Sequence, residues 1–133
     1  MEAKRDGYTT TMYGRRRYFE GMNSALPFIR AAAERMAINA PIQGTEADLV
    51  KLAMIHVQDL ITKRGWKSEV KLLMQVHDEL VYEVKTNLVP IVAEEVQRVM
   101  EAVMTKEQTK GVPIVSSANA GDNWGEMTEV KTD

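Results

Sequence analysis

The stretch VKLLMQVHDELVYEV, residues 70–84, decides how the chain is read. Two apolar runs, 70–76 and 80–84, are interrupted by His77-Asp78-Glu79. The runs are rich in Val and Leu and too short to be separate helices, so a β-hairpin with the three polar residues at its bend is the economical expectation. An Asp at a turn is accounted for by side-chain bonds to the backbone, and an exposed Glu needs no special reason. The same two carboxylates on a rigid hairpin would also offer hard oxygen ligands where Mg²⁺ could bridge them to a phosphate. A two-metal site wants a further carboxylate from a neighbouring strand. Asp48 and Asp59 fall on a predicted helix, Asp6 near the start and Asp122 at a turn, so such a site would be half-built.

Working outward, EAKRDGY reads as the last turns of a helix ending near Gly7, followed by an extended TTTMYG. A start inside a helix's final turns suggests a frayed end or a chain cut from something longer. SALPFIRAAAERMAIN (24–39) predicts a helix with Ala31 to Ala33 keeping one side thin. Pro41 should end or kink it, because it has no N–H for the carbonyl of Ala37. Thr45-Glu46-Ala47-Asp48 then resembles a capping box opening a second helix. Along that helix Val50, Ala53, Met54, Val57 and Ile61 recur on one face, and Lys63, Arg64 and Gly65 stop it. A third helix is expected over 88–104, with Pro90 in its first turn and Val92, Val96, Val99 and Val103 on one stripe. IVSSANA (114–120) reads as a final strand. Met54, Met74 and Met100 take core-like positions. Together these elements predict an α+β layer, helices packed on a small antiparallel sheet.

With 133 residues the chain has room for one domain, and 44% hydrophobic with 27% charged residues argues against disorder. The absence of cysteine excludes disulfides and thiolate metal sites and fits a reducing cytoplasm. No apolar run is long enough to span a bilayer and MEAKRDGYTT has no signal-peptide core, so no membrane partner is expected. The net charge of −2 is unevenly spread: residues 1–35 carry seven Lys/Arg against four acids, and the rest ten against fifteen. A basic end on an acidic body hints at an anionic partner, although solvated surface charge gives the same split.

The residues also carry a resemblance. QVHDELVYE (75–83) resembles motif C of the family A DNA polymerases, the bacterial DNA polymerase I type. RAAAERMAINAPIQGTEADLVK (30–51) resembles the segment preceding motif C. GYTTTMYGRRRYFEGMNS (7–24) is similar to the stretch joining fingers to palm, and GDNWGE (121–126) to the end of the polymerase chain. The departures are Phe19-Glu20-Gly21 for an apolar-Pro-acid pattern, Glu46 for a small residue and Tyr82 for Phe.

This resemblance implies that residues 1–133 are a single partial domain, the C-terminal palm segment, with 1–24 as its connection to the fingers. Asp78 would be a metal ligand with Glu79 beside it, in an enzyme that uses two Mg²⁺ ions. His77 would lie near the primer terminus, and one or more of Arg15, Arg16 and Arg17 near the nucleic-acid backbone. Arg35, Asn39 and Gln43 would face the DNA minor groove, with Gln43 reaching it from a loop past Pro41. By spacing alone those three are an exposed polar face, with Arg30 and Glu34 an ordinary (i, i+4) pair. The implied partners are primer-template DNA, a deoxynucleoside triphosphate and an N-terminal polymerase fragment carrying motifs A and B, in replication or repair. A non-catalytic DNA-binding or assembly module is the alternative, and a small metal-dependent phosphohydrolase a third.

Overall fold

The computed structural model describes residues 2–131. Contacts divide the chain into two compact units, one up to Asp48 and one from Leu49 onward.

In the first unit, helix α1 (Glu2–Asp6) stops at Gly7, and strands β1 (Tyr8–Thr10) and β2 (Arg16–Tyr18) pair antiparallel with Tyr8 opposite Tyr18. The extended stretch expected after Gly7 is thus one arm of a hairpin. Helix α2 (Pro27–Arg64) begins in this unit and supplies Ala33 and Ala37, which are buried with Ala3 and Met22 while Phe19 packs on them. At these positions the small methyl of alanine lets the neighbouring helix approach closely. Lys4 Nζ lies 2.7 Å from Glu34 Oε1 and holds that carboxyl below the usual carboxylate range, chiefly through a hydrogen bond. Arg30 instead donates to the carbonyl of Ser24 at 3.1 Å, so the expected Arg30–Glu34 pairing gives way to these two contacts.

The break expected at Pro41 does not occur. Helix α2 is continuous over 38 residues with Pro41 inside it. The proline forfeits one ladder bond, but Ala37 and Ala40 in the turn before it are buried and the helix runs on through it. Thr45 is not a cap: its hydroxyl donates to the carbonyl of Pro41 at 2.6 Å, one turn back, and accepts the N–H of Met12 at 3.1 Å.

The second unit holds the remainder of α2, whose face of Val50, Ala53, Val57 and Ile61 is buried as the periodicity required, while Met54 is half-buried. The helix stops at Gly65, whose φ of 72° a side chain would strain. Strands β3 (Val70–Val76) and β4 (Glu79–Val84) form the expected antiparallel hairpin, with a register shift at Leu73. A 3₁₀ turn (Thr86–Leu88) leads into α3 (Val89–Glu101). Val57, Ile61, Val70 and Val92 form the core, covered by Trp66, Tyr82, Val84, Val96 and Val99. Met100 joins that cover, but Met74 does not: it stands exposed on β3.

Two further differences concern the chain after α3. A short helix α4 (Lys106–Thr109) follows, opened by a capping box between Thr105 and Gln108. The final strand contracts to β5 (Asn119–Ala120), which pairs with an unforeseen β6 (Thr128–Glu129). Residues before β5 are pinned by α3 side chains rather than by a ladder. Gln97 Nε2 donates to the Ser116 carbonyl at 3.0 Å, and the Ser116 N–H donates to Glu101 Oε1 at 2.9 Å. The α+β class stands, but its strands make three separate two-stranded sheets among the described residues.

Candidate functional site

In the second unit, Val76 pairs with Glu79, so the bend consists of two residues, His77 and Asp78, and Glu79 is already strand. His77 has φ of 50°; among described non-glycine residues only it and Lys110 are left-handed. Histidine tolerates this region better than most, but holding it there costs on the order of 1 kcal/mol. The amide of Gln75 donates to the His77 carbonyl at 2.5 Å and braces the turn.

Alternation along β4 separates base from tip. Tyr82 and Val84 pack on the core, and burial pushes the Tyr82 phenol up to about 12. Val81 and Glu83 point the other way, on the face that Glu79 shares. His77, Asp78 and Glu79 are all exposed. The hairpin is therefore anchored at its base and presents two consecutive carboxylates at its tip. No group of three or more His, Cys, Asp or Glu able to hold a metal occurs among the described residues. Mg²⁺ commonly takes one or two carboxylates and completes its shell with water and substrate phosphate, so Asp78 and Glu79 fit part of such a site.

In the first unit, Arg35, Asn39 and Gln43 are exposed on α2. Because the helix is unbroken, Gln43 is helical and not in a loop, and the three lie on one stripe at i, i+4 and i+8. Gln43 lines a recess of about 210 Å³ together with Thr11, Arg15, Arg16, Arg17 and Gly44. The spacing of these residues alone did not bring Gln43 and the arginine run together; the β1–β2 hairpin does.

The three arginines differ in their surroundings. Arg15 Nε donates to Asp48 Oδ1 at 2.7 Å and Nη2 to the Gly44 carbonyl at 2.9 Å. Arg16 lies 4.6 Å from the centre of the Tyr8 ring, and a hydrogen bond with Tyr18 makes its proton still harder to remove. Arg17 lies 5.5 Å from the Phe19 ring. Asp48, Thr11 and Tyr8 are the members that sequence reasoning missed. No local pattern flags Asp48, which is 33 residues from Arg15.

Paired carboxylates on a hairpin tip and, in the other unit, a basic recess whose Arg16 and Arg17 lie against aromatic rings are group types that proteins handling phosphate esters use. Residues 1–126 match the model of DNA polymerase family A. DNA polymerase I of Pseudomonas aeruginosa is 42% identical over 125 residues, which cover 94% of this chain and 13% of that protein. The thermostable DNA polymerase I of Thermus thermophilus is 41% identical over 123 residues, covering 92% of this chain and 14% of its own. A solved structure, the POL domain of Pol1 from M. smegmatis in complex with DNA primer-template and dNTP, superposes with a TM-score of 0.72 at 42% identity, covering 78% of this chain and 18% of that one. The chain belongs to DNA polymerase family A.

Proposed function

We propose that this chain supplies the palm segment bearing motif C of a template-directed DNA polymerase. The observation that carries the reading is the hairpin tip: Asp78 exposed at a two-residue turn whose base is buried, inside a chain that the family matches over residues 1–126. The M. smegmatis relative's primer-template and dNTP are the partners this reading assigns here.

The reaction is attack of a primer 3′ hydroxyl on the α-phosphate of a deoxynucleoside triphosphate; the new O–P bond forms as the bond to diphosphate breaks. A pair of bound Mg²⁺ ions would supply charge stabilisation to the attacking and leaving oxygens. Asp78 holds a carboxylate where it can serve as one ligand, and Glu79 adds negative charge beside it. The anchored hairpin keeps both in place, which is what catalysis by positioning demands. Arg35, Asn39 and Gln43 present side-chain donors toward minor-groove acceptors common to every correct base pair, testing pair geometry without reading sequence. The second essential Asp, in motif A, and the nucleotide-gripping helix of motif B are not recognisable in these residues. Two adjacent carboxylates cannot hold two ions, so this chain by itself should not synthesise DNA.

Primer extension by the chain alone, and with a polymerase segment carrying motifs A and B, is the test. Synthesis is expected only in the combination, and Asp78→Ala should lower it on the order of 10³-fold, the several kcal/mol a metal ligand contributes. Robust extension by the chain alone would overturn the half-site argument. Unchanged synthesis in the Asp78→Ala combination would favour a DNA-binding or assembly module.

A further inference from the structure

The three consecutive arginines invite one role, contact with a nucleic-acid backbone, yet the structure gives them different tasks. Arg15 is occupied. Its guanidinium spans a carboxylate, Asp48, and a helix carbonyl, Gly44, one turn apart on α2. The Asp48 side chain keeps only 11% of its surface, against 49% for Arg15, so the pair is lodged at the helix and not in open solvent. The same turn of α2 is gripped twice more. Thr45 accepts the N–H of Met12, and the methyl of Thr11 lies so close to Gly44 that a Cβ there would stand 2.7 Å from it. Gln43, which faces the recess, precedes the gripped residues directly.

We propose that Arg15 is a positioning residue, a strap that docks the β1–β2 loop on the Gly44–Asp48 turn and so sets Arg16, Arg17 and Gln43 around one recess, with Arg16 and Arg17 making the phosphate contacts. Arg16 and Arg17 lie over aromatic rings, which orient a guanidinium without neutralising it, so their charge stays available to an anion. The charge of Arg15 is already met by Asp48. This inference rests on the nucleic-acid reading above.

The test is primer-template binding by the full chain, followed by fluorescence anisotropy across a salt series. Each phosphate contact contributes about 0.9 to the slope of log affinity against log salt on duplex DNA. Arg16→Ala and Arg17→Ala should each lower that slope by about 0.9. Arg15→Ala should weaken binding several-fold while the slope stays put. Asp48→Asn supplies the opposite-sign control. Removing an acid near DNA strengthens binding if Arg15 is thereby freed to meet a phosphate, whereas loss of the strap weakens it. Weaker binding by Asp48→Asn, and partial recovery in the Arg15→Asp/Asp48→Arg exchange, are the expected results. Circular dichroism of each variant guards against general unfolding.

Tighter binding by Asp48→Asn, a slope loss in Arg15→Ala, or unaltered binding in a folded Arg15→Ala would overturn the assignment while leaving the nucleic-acid reading intact. An unmodified chain whose binding to primer-template is absent or independent of salt would overturn both.

Discussion

At the scale of single residues, Gly44 sets two effects against each other. Alanine in a helix interior is favoured over glycine by about 1 kcal/mol. Here the added methyl would meet Thr11 Cγ2 at 2.7 Å. Thr11 cannot swing aside freely, because its hydroxyl accepts the N–H groups of Tyr13 and Arg15, both at 3.2 Å. Overpacking costs of about 1–3 kcal/mol should therefore outweigh propensity, and Gly44→Ala should lose about 1 kcal/mol in urea denaturation. A gain would mean that the loop yields. Tyr82 gives a pH signature instead. Its phenol titrates at about 12 in the folded chain against 10.0 when free, because burial disfavours the anion. Between these values the unfolded chain has released the proton and the folded chain retains it, so stability is unaffected below pH 10 and falls as pH rises toward 12. Tyr82→Phe should remove that part of the alkaline loss while changing stability near neutrality by under about 1 kcal/mol; an unchanged alkaline profile would refute the attribution. That Arg35 and Asn39 are exposed one helical turn apart was legible from spacing; Gln43, expected in a loop, joins their stripe only because α2 runs on through Pro41. The partner of Arg15 was not legible, since a contact across 33 residues leaves no local trace.

Elements were legible where periodicity was strong and misread where one residue type was given too much authority. The buried face of α2 and the stripe of α3 follow from apolar spacing, and the β3–β4 hairpin from two short runs around a polar bend. Pro41 was read as an end or kink because its missing N–H is a local fact; the buried Ala37 and Ala40 before it and the contacts of Met12 and Arg15 with the turn after it are tertiary. Thr45 and Thr105 make the contrast plain. Both precede a polar residue by three positions, but Thr105 caps α4 while Thr45 bonds back to Pro41 inside a longer helix. A capping box signals a start only where nothing upstream continues the helix. Between elements, the strongest tie in the second unit is one that periodicity passed over. Glu95 is buried on α3, and Arg64 at the end of α2 grips both its oxygens, with Nε 2.8 Å from Oε2, while lying 5.9 Å from the Trp66 ring. Arg64 keeps half its surface, so it can rehydrate when released, but a fork of charge-assisted bonds is lost. Glu95→Ala should thus cost about 2 kcal/mol, below the full cost of breaking a buried pair. Equal midpoints for variant and parent in urea would show that the fork contributes nothing net.

For the molecule as a whole, the class was legible and the layering was not. A single sheet was expected because three strand-like segments were visible. Pairing, however, depends on which strands are present to pair, and each sheet found has two strands and two open edges among the described residues. On the function proposed above, a strand from a segment carrying motif A would lie beside the β3–β4 hairpin, whose edges are open among the described residues. On β3 itself, Leu73 at the irregularity keeps 58% of its surface and Met74 next to it 38%. Unpaired strand edges beside large exposed side chains favour association with another chain. Sedimentation of the chain alone should show self-association that grows with concentration. A polymerase segment carrying motif A should replace it with a one-to-one complex and slow hydrogen exchange along β3 and β4. The order of these effects matters: an added segment that raised activity without protecting the hairpin edge would place the missing strand elsewhere. A chain that stays monomeric at high concentration would show that its open edges and exposed side chains are tolerated without any neighbour.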